Sequence, residues 1–226
     1  MDMFKRIFLP VLVLTFLGAC NVTRVVKPLD KGEHQVSASL GGPAIIFSGA
    51  PLPIPLSSLS YANGLDTGLS VSAGLHTTSL LFGVAQADAS LHAQLWQAKN
   101  ERFGLTMSPG AHFFYDFNEQ NTRVYPQVDL GAWWQYSEEK DHLLYGGVGS
   151  WFELYREKAH GQVQDHEVLP YVTLGHQFNW DSWSFQIEAR YLGMFYRNDE
   201  LVVTYLTPLN TGTSGLYFGI GKSFGK

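Results

Sequence analysis

The sequence predicts an all-β protein, an antiparallel up-and-down transmembrane β-barrel of about ten strands occupying residues 33–226. Three observations carry that prediction. Long segments alternate apolar and polar residues with a period of two, and no stretch after Cys20 sustains a helical period as well. Charged residues make up only 15% of the chain, against a usual ~25%, while aromatics reach 14% and there are 23 glycines. Several alternating segments exceed ten residues, which suits a tilted spanning strand of ~9–11 residues better than a soluble strand of ~5–6.

Phe103 to Phe117 shows the pattern most clearly. Phe103, Leu105, Met107, Ala111, Phe113, Tyr115 and Phe117 share one face; Gly104, Thr106, Ser108, His112, Phe114 and Asp116 share the other. In Val124–Tyr136, Val128, Leu130, Ala132 and Trp134 oppose Gln127, Asp129, Gly131 and Trp133. In Trp183–Phe195, Phe185, Ile187 and Tyr191 oppose Gln186, Glu188 and Arg190. In Ala85–Leu95, alanines and leucines oppose Gln86, Asp88, Ser90, His92 and Gln94. Weaker strands are expected at Glu33–Gly42, Leu56–Tyr61, Gly68–His76, Leu143–Tyr155, Val168–Phe178 and Thr213–Phe224.

Charges cluster between these segments, as at Lys99–Arg102, Glu138–Asp141 and Arg156–Lys158. Short turns near Asn63–Thr67, Ala98–Arg102, Ser137–His142 and Asn179–Ser182 alternate with longer connections, among them Pro43–Pro55, Arg156–Glu167 and Asn198–Gly212. Such alternation resembles that of outer-membrane barrels, whose periplasmic turns are short and external loops long. The phase puts both chain ends on the short-turn side. Pro43–Pro55 is expected to be a packed, non-sheet cap, because its prolines lack the N–H that a ladder needs.

Alternation leaves open which face is wet. A soluble, lipid-tethered ligand-binding barrel would turn its apolar face inward; a membrane barrel would turn it outward. The polar face is poor in Lys and Glu. Aromatics also gather at the ends of the apolar faces, at Phe103, Tyr115 and Phe117, at Trp134 and Tyr136, and at Phe178, Trp180 and Trp183. Those groups resemble interfacial girdles, so the apolar face is assigned to lipid. In the last segment Leu216, Phe218, Ile220 and Phe224 share a face, which resembles the closing strand of outer-membrane barrels; Lys222 and the trailing Gly225-Lys226 depart from that pattern.

The first nineteen residues read as a signal peptide, with Lys5 and Arg6 before the apolar run Ile7–Leu17, too short to span a bilayer as a helix. Leu17-Gly18-Ala19-Cys20 then resembles the bacterial lipobox. The resemblance implies cleavage before Cys20, acylation of that cysteine, and, with Asn21 following, an outer-membrane destination with a periplasmic mature N-terminus. Residues 20–32 would be the lipidated end and a short polar tether. Cys20 is the only cysteine, so no disulfide forms within the chain.

A barrel of this size is nearly filled by its own side chains, which argues against a wide pore. The residues assigned to the interior include His76, Asp88, His92, His112, Asp116, Asp129, Glu153, Glu188 and Arg190. They are expected to form a paired polar network, because an unpaired buried charge is costly. The resulting reading is a structural or interaction protein embedded in outer-membrane lipid, with an envelope protein as possible partner.

The alternative, a hydrolase acting on lipid or peptide, would draw a base and an orienting group from His92 with Asp88 or His112 with Asp116. Each pair lies roughly 13 Å apart along one strand, at ~3.3 Å per residue, so any dyad must form between strands. No serine stands in a nucleophile elbow. No metal site is expected: the eight histidines are scattered, with no HExxH and no cysteine cluster, and the loop histidines His160 and His166 read as solvated. Gly146-Gly147-Val148-Gly149 lies in a strand with no helix after it and so makes no dinucleotide loop; its glycines are expected to admit neighbours such as Trp133 and Trp151. No cofactor is indicated. A net charge of −5 without a basic stripe argues against a nucleic-acid partner.

Overall fold

The computed structural model describes residues 22–157, 166–197, 205–207 and 209–225. Residues 1–19, Cys20 and His160 lie outside the described residues. The elements in chain order are β1 (His34–Phe47), β2 (Ala50–Pro53), β3 (Leu56–Asp66), β4 (Leu69–His76), α1 (Thr77–Leu81), β5 (Val84–Gln97), β6 (Phe103–Asp116), β7 (Asn121–Gln135), β8 (His142–Phe152), β9 (Val168–Trp180), β10 (Trp183–Arg197) and β11 (Thr211–Phe224). Each long strand pairs antiparallel with its neighbour in sequence, and β11 closes on β1 with His34 opposite Phe224. Ten strands therefore form a closed up-and-down barrel, and β2 stands outside the wall.

Closure removes the free edges, and alternation then sorts the side chains. Along β6, Phe103, Leu105, Phe113 and Tyr115 face out while Thr106, Ser108, His112 and Phe114 are buried. In β7, Leu130 and Trp134 are exposed and Trp133 is 1% exposed. The apolar face is thus outside, opposite to what a soluble ligand carrier requires. Aromatic rings gather in a girdle at the short-turn end: Trp96 against Phe103, Trp134 against Tyr136, Tyr136 against His142, and His142 against Phe178. Histidines 34, 142 and 176 join this belt, which the sequence reading left to aromatics alone. Lys222, the departure in the last strand, lies 5.1 Å over the Trp183 ring in the same belt, where a cation can reach water while its stem stays on apolar surface.

The Pro43–Pro55 segment corrects the expectation of a non-sheet cap. β1 continues to Phe47 and pairs with β2 through Ile46 opposite Pro51 and Ala44 opposite Pro53. The turn residues Ser48 and Gly49 have φ of 49° and 84°, the left-handed pair that a two-residue hairpin requires. In such a hairpin the closing pair Phe47–Ala50 is hydrogen-bonded and the bonding alternates from there. Pro51 and Pro53 therefore sit where an N–H would point away from β1, toward a free edge that needs no donor.

The expected tether is also corrected. Residues 22–29 do not hang in solvent: Val22, Arg24, Val25, Val26 and Leu29 are all buried. Gly32, at φ 77°, turns the chain from the lumen into β1, fixed by bonds from its N–H to the Gly64 carbonyl and from the Gly64 N–H to the Glu33 carbonyl. The crossing is backbone against backbone, since a Cβ on Gly64 would lie 1.9 Å from the Asp30 carbonyl oxygen.

Candidate functional site

The lumen is the candidate site, and three layers fill it. Toward the long-loop end, Val84, Phe114, Tyr125, Trp151, Tyr171 and Leu192 form an apolar seal contributed by the wall alone. Toward the short-turn end, Val26 packs with Trp133, Leu143 and Tyr145, while Val25 and Leu29 pack with Ala62. Polar side chains occupy the layer between, and the N-terminal segment joins them to both walls.

On one wall Asp88 of β5 accepts from two directions. The Arg24 guanidinium grips it through Nε to Oδ1 at 3.1 Å and Nη2 to Oδ2 at 2.5 Å, and Nη1 donates to Ser58 Oγ at 2.9 Å. His76 Nε2 also reaches Asp88 Oδ2 at 2.8 Å. Room for the guanidinium comes from Gly74, where a Cβ would lie 2.2 Å from Arg24 Nη2. His112 lies beside this group, its ring 5.7 Å from that of His76 and 4.2 Å from that of Trp151. His76 Nδ1 and His112 Nδ1 are buried and meet no hydrogen-bond partner among the described residues.

On the opposite wall Glu188 is 0% exposed, the condition in which a carboxylate most needs partners. Its Oε2 accepts from the Thr23 backbone N–H at 2.9 Å and from Tyr145 Oη at 3.0 Å; its Oε1 accepts from Arg190 Nη2 at 2.8 Å. Arg190 also lies over the rings of Tyr171 and Tyr217, at 5.1 and 5.8 Å. Asp129 accepts from Tyr171 Oη at 2.5 Å. Adjacent residues of the plug, Thr23 and Arg24, thus bind carboxylates on β10 and β5. What empty space remains includes a cavity of about 40 Å³ lined by Thr23, Val25, Val26, Ser108, Asp129 and Tyr145, enough for a water or so.

The residues assigned to the interior divide into groups. His76, Asp88 and His112 come together; Glu188 and Arg190 form a second cluster with Asp129 close by. His92 joins neither. Its two nitrogens bridge Ser72 and Ser108 Oγ, each at 2.8 Å, and so both are satisfied. Asp116 is not part of the network: it ends β6 and accepts from the N–H groups of Asn118 and Glu119 in the turn. Glu153 lies beyond β8 and pairs with Arg123 at 3.9 Å. The dyads considered for a hydrolase do not form as paired above. Asp88 contacts His76 rather than His92, with no hydroxyl on that histidine, and His92 has hydroxyls and no carboxylate. Glycines do make room for interior aromatics, but in other pairings than expected: Gly104 under Trp133, Gly149 under Tyr171 and Gly175 under Tyr145.

Sequence reasoning missed Arg24 entirely, having placed it in the tether. The signal was present in Val22, Val25, Val26 and Leu29, since a solvated tether has no need of four aliphatic residues in so short a span.

No protein-family model and no curated protein matches the chain. Solved structures do. An outer membrane channel from Pseudomonas putida F1 aligns with a TM-score of 0.51 at 9% identity, over 90% of this chain and 99% of that one. The NanC porin aligns with a TM-score of 0.44 at 13% identity, over 83% of this chain and 98% of that one. The fold is that of an outer-membrane β-barrel. At these identities the likeness is one of architecture, and the contents of this barrel's lumen are read from its own residues.

Proposed function

We propose that the chain works in the bacterial outer membrane as a closed lipoprotein barrel, a structural or interaction protein of the cell envelope rather than a wide pore. The observation that carries this reading is the filling of the lumen along its depth. The aromatic seal and the N-terminal plug are separate devices, so loss of one leaves the other in place. Residence in lipid is supported by the outward apolar face with its aromatic girdle, and anchorage by the lipobox ending at Cys20. An interaction role is supported by the β1–β2 hairpin, which carries Phe47 and Leu52 exposed at the long-loop end.

Conductance tests the closed reading. Purified barrel inserted into planar bilayers is expected to give no steady porin-like current, with or without residues 22–31, because the seal belongs to the wall. A stable, large conductance of the intact protein would refute it.

A further inference from the structure

The plug and the wall meet at a group of residues whose chemistry a structural ion pair does not exhaust. His76, Asp88 and His112 stand on three consecutive strands, β4, β5 and β6. One potential ligand atom from each lies within 4.8 Å of the other two. Donors around a tetrahedral ion with bonds of ~2.1 Å sit about 3.4 Å apart. His76 Nε2 and Asp88 Oδ2 are already 2.8 Å apart, and small side-chain rotations would bring in His112. Two imidazoles and one carboxylate suit zinc, cobalt or nickel rather than calcium or magnesium, which prefer oxygen.

The histidines differ among themselves in a telling way. His92 is saturated by two serines and has nothing left to offer. His76 and His112 are 1% and 2% exposed, and each keeps a ring nitrogen with no hydrogen-bond partner among the described residues. A neutral imidazole that binds a metal through one nitrogen carries its proton on the other. His76 can make that change by moving its proton from Nε2 to the unpartnered Nδ1, with no net loss of a proton.

One cation is already there. Arg24 delivers its guanidinium to the same Asp88 oxygen that would bind the ion. A divalent ion and a guanidinium cannot share that carboxylate without strong repulsion at such distances in a buried setting. We infer that His76, Asp88 and His112 form a transition-metal site that Arg24 of the N-terminal plug occupies as a competing cation, so that metal binding and plug seating exclude one another. This inference rests on the plugged reading of the lumen. It adds that the plug's inner end covers a ligand site, on whose other side the Trp151 ring of the aromatic cluster lies 4.2 Å from that of His112.

The test uses the unacylated full-length barrel, Cys20→Ala behind an ordinary secretory signal, in detergent, titrated with Co²⁺ and read by visible absorption and calorimetry. Arg24→Ser is expected to bind one Co²⁺ per chain at least ten-fold more tightly than the parent. His76→Gln or His112→Gln in that background should abolish binding; His92→Gln should leave it intact. Gly74→Ala supplies a second route, since its methyl group displaces the guanidinium and replaces none of the three ligand residues, though Asp88 Oδ2, 2.9 Å from the new methyl, must shift slightly; it too should tighten binding. Equal affinity with and without Arg24, no saturable binding in either relieved variant, or binding that survives both His76→Gln and His112→Gln would each overturn the site. Conductance of the same samples reports separately on closure: a closed barrel that binds no Co²⁺ removes the metal site alone, whereas a conducting parent removes the closed-barrel reading.

Discussion

Gly74→Ala disturbs the plug without altering a charge. The added methyl would lie 2.2 Å from Arg24 Nη2 and 2.9 Å from Asp88 Oδ2, both far inside contact distance. Of the two, the guanidinium stands at the end of a flexible stem and must give way. Asp88 then keeps His76 as a donor but loses its bidentate partner. Breaking a buried ion pair on one side costs about 3–5 kcal/mol, and replacing a mid-strand glycine returns roughly 0.5–1 kcal/mol. The net expectation is a loss of about 2–4 kcal/mol in urea-induced unfolding of the detergent-bound barrel. In the unacylated Cys20→Ala background, trypsin should also begin to cut after Arg24 in the folded protein. The decisive comparison is a cycle with Arg24→Ala, in which Gly74→Ala should cost little because the group it displaces is gone. A full-sized penalty in the Arg24→Ala background, or no penalty in the parent, would refute the argument that Gly74 exists to admit the guanidinium.

Three further outcomes follow from other parts of the barrel. Leu130→Arg, mid-strand on the outward face of β7, should cost ~2–4 kcal/mol of barrel stability, and Gln127→Arg on the inward face should cost less; thermal unfolding monitored by heat-modifiable gel migration checks the order. Glu188→Gln keeps an acceptor for Thr23 and Tyr145 but leaves Arg190 facing no charge on its own strand, a loss of about 3 kcal/mol or more that Arg190→Met should partly restore in the same unfolding assay. Gly49→Val forces a side chain into a left-handed turn, which costs ~1–2 kcal/mol; chymotrypsin should then cut faster after Phe47 while the barrel's own melting temperature stays unchanged.

The wall was legible in the sequence because a barrel strand repeats one physical rule, alternation between lipid and lumen. That rule named the ten strands and the outward face of Phe103–Phe117. It failed where another constraint took over. At Pro51 and Pro53 the composition argued against sheet, yet a free outer edge tolerates proline, and the Ser48-Gly49 turn signal was the better guide. In the lumen, alternation showed that Asp88, His92 and His112 face inward but not which of them touch. Contacts there depend on register: Asp88 lies opposite His112 on one side and opposite Gly74 on the other, which brings it to His76 and leaves His92 to the serines. Arg24 was invisible because a segment that enters a lumen obeys no strand or helix period; only its aliphatic residues hinted at burial.

The lipid anchor and the plug make competing demands on the same few residues, and the geometry allows a prediction from that. Val22 packs on Gly219, where an added Cβ would lie 2.9 Å from its side chain. Gly219 stands five residues before Phe224, at the short-turn rim. That places it roughly 13 Å inside the barrel at ~3.3 Å per residue and a tilt of ~40°. Cys20 precedes Val22 by two residues, which reach about 7 Å at most. An acylated Cys20 therefore cannot enter the periplasmic leaflet while Val22 remains on Gly219. Released from the lumen, the stretch from Cys20 to Gly32 spans up to ~40 Å, ample to reach lipid from the rim. Acylated protein in vesicles should accordingly be cut by trypsin after Arg24, and the unacylated Cys20→Ala form should be protected there, with mass spectrometry identifying both the cut and the acyl group. Equal protection of the two forms, with acylation of the first verified, would show that anchoring does not draw the plug from its seat.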